Sequence, residues 1–545
     1  MRIAALLPLA VLHAAAAAQG ITLLDVVTGP GQTTYFGEHF EDIGDCDGDG
    51  IADVVVSMRR GNAIRVISGR DRSVVFERHP IGPSPPGLGR LIVEAAGDFD
   101  GDGLGDVLVG YQIYQPNAAL SRVQVLSGLN GSVLLEIPPP PNGESFPTSL
   151  ARPVDVDGDG VLDVVVGAAL ADADRGSVFV FSGATGQSLW RVDGGPNERM
   201  GLSLALIHDV DADGVREIAV GSWHGLALNF NGPGNIRILA GASGAVLAQR
   251  EGTVQWQYLG HTLASVVDRN GDGVPDIAAR RNWPAAERGV VFLSGTDLTP
   301  IGEHLSPPWA IGSVTSLDER GDFDGDGYPD LLVGDNGAVL IYSGADGSLM
   351  SNLQDPSQFF GQHVRYLRDV DDDGLPEVLV GRFFRDPGEL LIYESTPANG
   401  GVICVGRPNS VAGRARLESI SPSDYDVAAM DLTLRATGLP PATFGLFMVG
   451  DGRDRVVDFQ GSRGTLCIAG SGYGRFVNDL VQAGAGGATT FAPDLRAFPW
   501  TEGGSFGTRA VGPGETYGFQ LWYRDTTAAG LATSNLTDAV TVTFR

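Results

Sequence analysis

The sequence predicts an all-β protein, a seven-bladed β-propeller followed by a C-terminal β-sandwich. Three observations predict it. An acidic loop of one pattern recurs seven times, at intervals of 47 to 59 residues. A strand-like apolar run follows each loop. Short β-branched runs separated by glycine turns fill the remaining length, and the recurrence stops near residue 395.

The acidic loop is clearest at Asp155, Asp157, Asp159 and Asp163, which occupy its positions 1, 3, 5 and 9, with Gly160 at position 6. Calcium takes six to eight oxygens, and carboxylates two residues apart on a tight loop converge on one centre. The glycine allows the turn that returns position 9 to that centre. Val164-Val165-Val166 follows, so the loop feeds a strand. The other sets are Asp45, Asp47, Asp49 and Asp53; Asp98, Asp100, Asp102 and Asp106; Asp209, Asp211, Asp213 and Glu217; Asp268, Asn270, Asp272 and Asp276; Asp322, Asp324, Asp326 and Asp330; and Asp369, Asp371, Asp373 and Glu377. About seven structural calcium ions are expected.

Charge follows the loops. The net charge is −29, and 27 of the 28 loop side chains are carboxylates, so the rest of the chain is nearly neutral. That leaves no acidic surface for steering a partner, and no basic tract points to nucleic acid. All 37 basic residues are arginine, which excludes chemistry on a Schiff-base or phosphate-loop lysine.

Residues 1–19 read as a secretory signal: Arg2, an apolar core over Ile3–Leu12, and small residues at Ala14–Ala18. The core is too short to span a bilayer, and no later stretch qualifies. A secreted, soluble monomer is expected. Cys46 sits in the first loop, facing away from the ion. Export would permit a Cys404–Cys467 disulfide.

Each repeat has four strands. In the third, Val164–Val166 is followed by Ser177–Phe181, the turn Ser182–Gly186, then Gln187–Val192, and Met200–Leu206 leads into the next loop. Repeat 7 stops at its third strand, Leu390–Tyr393. Ile21–Val27 reads as an orphan fourth strand that completes blade 7 and removes the open sheet edge. Phe36-Gly37, Met200-Gly201, Leu259-Gly260 and Phe360-Gly361 open repeats. Gly167-Ala168-Ala169, or a lone Gly110, Gly221, Gly334 or Gly381, closes the run after the loop.

These elements resemble the FG-GAP, integrin-α-type propeller family, also described as VCBS-like repeats, over about residues 21–395. The resemblance implies a calcium-stabilised propeller and, often, ligand binding or adhesion; it implies no reaction. Residues 396–401 read as a linker. Residues 402–545 alternate, as in Met430–Leu434 and Ala539–Phe544, between Pro and Gly turns, which predicts the sandwich. Tyr517–Asp525 with Ser534–Ala539 resembles a C-terminal module of secreted bacterial repeat proteins.

No zinc, nucleophile-elbow or clustered His-Cys motif occurs. His39, His261 and His363 fall near the FG elements and read as structural. Arg320-Gly321-Asp322 spells an attachment tripeptide, but Asp322 is the first ligand of loop 6. Asn535-Leu536-Thr537 reads as a chance sequon. The loops opposite the calcium loops carry Tyr111, Tyr114, Trp223, His224, Phe230, Trp256, Tyr258, Arg280, Arg281, Trp283, Trp309, Arg382, Phe383 and Phe384. Trp223, Trp256 and Trp283 read as anchors for an extracellular protein or glycan, with Arg280 and Arg281 as carboxylate clamps. The expected function is a ligand-binding or adhesion module, not an enzyme. The alternatives are a carbohydrate-active enzyme resembling propeller polysaccharide lyases, or a purely structural cell-surface or matrix component.

Overall fold

The computed structural model describes residues 20–31, 34–59, 62–79, 89–113, 120–140, 146–223, 232–282, 284, 287–307, 313–355, 359–371, 374–384, 387–396, 402–404, 415–421, 425, 427–457, 465–502, 505–526 and 532–545. The proposed signal at 1–19 and most of the linker fall outside them. One compact unit spans Ile21–Ser395 and a second includes Thr396–Arg545.

The first unit holds seven four-stranded sheets. Their first strands are Phe36–Gly44, Gly89–Gly97, Ser149–Val154, Met200–Leu206, Leu263–Val266, Val314–Gly321 and Val364–Leu367. Each touches the next, and the last touches the first, so the sheets are blades of a closed ring. The second strands, such as Asp163–Ala168, are buried on both faces and therefore read as unbroken apolar runs. The fourth strands alternate, as in Ser188–Asp193, because they lie at the rim. A separate apolar core fills each of the seven gaps between blades. Phe36, Val56, Leu379 and Leu390, for example, join blades 7 and 1.

Gly20–Thr28 is the outer strand of blade 7, beside Glu389–Thr396. Leu24 and Val27 pack on the core between blades 7 and 1, and Gly29 N–H donates to Gly388 O at 2.9 Å. The ring is closed by strands from its two ends.

Adjacent blades meet through paired glycines. The carbonyl of Gly201 lies 2.2 Å from where a Cβ on Gly167 would stand. Gly260 does the same over Gly221 at 1.8 Å, Gly361 over Gly334 at 2.3 Å and Gly37 over Gly381 at 2.2 Å. The overlying glycines have φ of +72° to +85°, left-handed values that favour glycine. A side chain at either partner would hold the blades apart.

A second device fixes five of the acidic loops. The position-9 carboxylate is fully buried, and in blades 1, 2, 3, 5 and 6 it joins the loop to the turn between the third and fourth strands. Asp163 Oδ2 accepts from Val156 N–H at 2.8 Å, and its Oδ1 accepts from Gly183 N–H at 2.9 Å. Asp53, Asp106, Asp276 and Asp330 repeat the double contact, to Gly69, Gly128, Gly295 and Gly344. The turn glycine is required because its Cα rests on the carbonyl before position 9: a Cβ on Gly183 would lie 2.0 Å from Leu162 O. Glutamate replaces aspartate in blades 4 and 7. Blade 7 has no such turn, since its fourth strand arrives from the start of the chain.

In the second unit, an eight-stranded sheet and a three-stranded sheet share one core. The larger sheet runs Val402–Cys404, Ala532–Thr543, Thr516–Thr526, Phe444–Val457, Thr465–Arg475, Phe498–Glu502, Ser505–Arg509, with Val481–Gln482 at one side. The smaller holds Arg416–Ile420, Thr433–Thr437 and Thr489–Phe491. Leu417, Leu434 and Ala436 of the small sheet meet Phe447, Phe519 and Val540 of the large one. The side chains of Cys404 and Cys467 lie outside the described structure.

Deleting Ile21–Val27 should leave the edge of Glu389–Thr396 unpaired, and the variant should aggregate or lose cooperative urea unfolding, as read by light scattering and circular dichroism. Asp163→Ala orphans two buried N–H groups and should cost about 2–4 kcal/mol. Gly183→Ala should cost about 1–3 kcal/mol through overlap with Leu162 O. A urea midpoint unchanged by either substitution would remove the clamp from the argument.

Candidate functional site

The acidic loops are turned by their own side chains. Asp155 Oδ1 accepts from Gly158 N–H at 2.7 Å and its Oδ2 from Gly160 N–H at 3.0 Å, while Asp157 and Asp159 accept from Asp159 and Val161 N–H. These bonds aim the remaining carboxylate oxygens inward. In at least five loops, oxygens from different residues come within 4.8 Å of one another: Asp45, Asp47 and Asp53; Asp98, Asp100 and Asp106; Asp155, Asp157 and Asp163; Asp209, Asp211, Asp213 and Glu217; Asp322, Asp324 and Asp330. Outside loop 4, position 5 stands apart from these sets, and Asp49 instead binds Arg70 at 2.5 Å. In loop 5, the Asn270 amide donates to Asp272 Oδ2 at 3.0 Å, while Asp268 accepts from Gly271 and Gly273 N–H. In loop 7, Asp369 accepts from Gly374 N–H and Glu377 from Val370 N–H; Asp373 is outside the described residues.

The electrostatics fit a hard cation. Burial, followed by the Asp326 charge, pushes Asp324 up to about 6; burial, with Asp324 among the opposing charges, pushes Asp330 up to about 7. The converging donors are all oxygen, the set that suits calcium rather than a thiophilic metal. Cys46 is buried in the core between blades 1 and 2, so its thiol is no ligand.

The opposite loops hold the other candidates. Trp256 is 45 % exposed. Trp223 is half-buried, edge-on to Tyr258 at 5.8 Å and His261 at 5.5 Å, with the Arg199 guanidinium 5.6 Å from its ring. Arg280 is buried, contrary to its reading as a surface clamp. It stands four residues after Asp276, the place glycine takes after most loops, and so points into the gap between blades. There it faces His261 Nδ1 at 3.3 Å and lies over Tyr258. Arg281 is bound to Glu303 at 2.5 Å and to Glu287 O at 2.6 Å. Tyr111 and Phe383 are buried as well, whereas Phe384 is 49 % exposed. Tyr114, His224, Phe230, Trp283 and Trp309 lie outside the described residues.

Sequence reading missed the backbone conformation of one set, of which it placed only Tyr258 on the loop face. The residue before each FG-type pair has left-handed backbone: Tyr35 (φ +52°), Arg199 (+56°), Tyr258 (+53°) and Phe359 (+67°). Bulky residues adopt this conformation at a cost of order 1–3 kcal/mol. It places the side chain on the loop face. Tyr35 and Phe359 contact Phe384 at ring distances of 5.2 and 4.4 Å. The available signal was the aromatic residue immediately ahead of three of the four pairs.

The three FG-proximal histidines are interior. His363 Nε2 faces Phe40 O at 3.0 Å, and burial, then arginine charge, holds His261 and His363 down at about 3. Arg320 of the attachment tripeptide binds Asp318 and Glu41 inside the propeller, and Asp322 belongs to one of the converging carboxylate sets.

Residues 45–109 match the FG-GAP-like repeat and residues 146–181 the FG-GAP repeat. Human integrin alpha-IIb is 32 % identical over 174 residues, 26 % of this chain and 16 % of the integrin. Drosophila melanogaster integrin alpha-PS2 is 30 % identical over 210 residues, 33 % and 14 % of the two chains. Xenopus laevis integrin alpha-5 is 28 % identical over 233 residues, 37 % and 22 %. The chain thus spans less than a quarter of the length of these relatives. Two stretches of the first unit are FG-GAP-type repeats, and this β-propeller is similar over part of its length to integrin alpha chains.

Proposed function

We propose that this is an exported ligand-binding or adhesion module, in which calcium in the acidic loops holds the propeller and the opposite loop face recognises an extracellular protein or glycan. The observation that carries this reading is the display of aromatic residues at a conformational cost. Tyr35, Tyr258 and Phe359 are held in left-handed backbone on one face, with Trp256 and Phe384 exposed beside them. Exposed aromatics on rigid loops are anchors of the kind that binding surfaces concentrate. The FG-GAP repeats and the integrin relatives support the same class. No helix among the described residues is long and apolar enough to cross a membrane.

When bound, calcium supplies the positive charge that the converging carboxylates lack. The residues of the chain shape the loops, bury position 9 and tie each loop to its blade. This role is structural, because the loops recur around the ring instead of meeting at one cleft. Arg280 and Arg281 have internal partners, which leaves Trp256 as the strongest described anchor among those chosen from sequence.

Chelation with EDTA should lower the melting temperature. An ion bound only by the native state, at a hundred-fold excess over its Kd, adds about 2.7 kcal/mol per site. A melt unchanged after thorough chelation excludes the calcium reading. Calcium affinity should fall as pH drops from 8 to 5, because Asp330 and Asp324, pushed to about 7 and about 6, take up the competing protons. Metal-free protein should move the other way. A carboxyl raised above its unfolded value of 3.8 favours the fold as pH falls through the raised value. Calcium titrations and urea melts at three pH values read both effects.

For the loop face, glycan and extracellular-protein arrays with calcium present should yield a ligand. Trp256→Ala and Phe384→Ala should then weaken its binding about ten-fold or more without shifting the melting temperature. Loss of stability with retained affinity would assign these rings to packing.

A further inference from the structure

The axial channel contains a cavity of about 410 Å³ that the loop-face reading does not use. It opens among the ends of the first strands that lead into the acidic loops, and its walls are unlike one another. On one side stand Glu41, Glu94, Arg152, Asp318, Arg320 and Arg365, from blades 1, 2, 3, 6 and 7. On the other stand Leu204, Leu206 and Ala264, from blades 4 and 5.

The charged wall is an ion cluster drawn across the axis. Glu41 is buried and accepts from Arg152 at 3.0 Å, Arg320 at 2.5 Å and Arg365 at 2.7 Å. Arg320 also binds Asp318 at 2.6 Å, and Arg152 reaches Glu94 at 3.3 Å. Arg152 is thus shared, and the shorter contact goes to Glu41. Glu94 is the under-compensated member: burial, then the Glu41 charge, pushes it up to about 7. Glu319, bound to Arg269, also lines the cavity, so its four carboxylates are matched by Arg152, Arg216, Arg320 and Arg365.

Arg216 completes the cavity from the blade 4 loop. Arg216 is exposed; its Nε donates to Ile207 O at 3.0 Å and its Nη2 to Leu206 O at 3.4 Å, which fixes the guanidinium at the mouth. Among the described residues no carboxylate pairs with it. The charge that acts on it is that of Arg152, another cation. Two guanidiniums facing one cavity, one of them without a counter-ion, are a prearranged carboxylate site. The volume falls within the range of small-molecule clefts.

We propose that the mouth of the axial channel binds a small amphipathic carboxylate, its anionic head between Arg216 and Arg152 and its apolar body against Leu204, Leu206 and Ala264. The two walls together set this class. A bare inorganic anion would leave the leucine wall wet, and an uncharged apolar molecule would leave Arg216 without a counter-ion.

The test uses the calcium-loaded full chain and isothermal titration calorimetry with sodium hexanoate, acetate, hexanol and inorganic phosphate as probes. Hexanoate should bind saturably at one site, at least ten-fold more tightly than each of the other three. Arg216→Ala should weaken hexanoate at least ten-fold. Ala264→Phe, which fills the apolar wall without touching an acidic loop, should abolish hexanoate binding at an unchanged melting temperature. If Arg216→Ala disturbs the adjoining loop, Ala264→Phe still decides the matter. Phosphate binding as tightly as hexanoate, hexanol matching it, or Ala264→Phe leaving its affinity intact would each overturn the proposal.

Discussion

The fold depends on a buried carboxylate placed at the end of each acidic loop. Asp163 and its counterparts are fully buried and accept one N–H from their own loop and one from a turn some twenty residues later. Buried N–H groups without acceptors are costly, so loop and turn are fixed together. The carbonyl before the carboxylate then presses on the turn glycine. One residue thereby couples the first, second and third strands of a blade, and the same residue contributes an oxygen to the candidate cation cluster. A cation in that cluster would act on the whole blade, which is why the loops are best understood as part of the core.

The ring is assembled by a different contact. Where a carbonyl of one blade rests on the α-carbon of its neighbour, only hydrogen fits, and the pair sets how closely two blades approach. The contact fails in an instructive place. Blade 5 carries Arg280 where glycine is usual, and the guanidinium lies between blades against Tyr258 and His261. A position that looked like a surface arginine is interior because it replaces a packing glycine.

Much of this was legible in the sequence, and for physical reasons. Carboxylates at spacing two, glycine at position 6 and the apolar run behind them each answer a local constraint, so the loops, second strands and blade order can be read directly. Closure by Ile21–Val27 was legible because blade 7 lacked a strand and one strand was spare. What was not legible depends on neighbours distant in the chain. The burial of Arg280 needs the next blade to be in place. The engagement of Arg281 needs Glu303. The axial cavity combines residues from all seven first strands except in its charge pattern, which gathers on five of them. No local period marks that side.

The closing blade has a mechanical meaning. Six blades are continuous in the chain, but the seventh is sewn from two ends, Gly20–Thr28 against Glu389–Thr396. The second of these strands ends where the second unit begins in the chain. Tension between the start of the propeller and that unit would therefore fall first on the hydrogen bonds of one strand pair, before any other blade is loaded. The propeller is a loop of belt with a single buckle, and the force it withstands is set by that buckle.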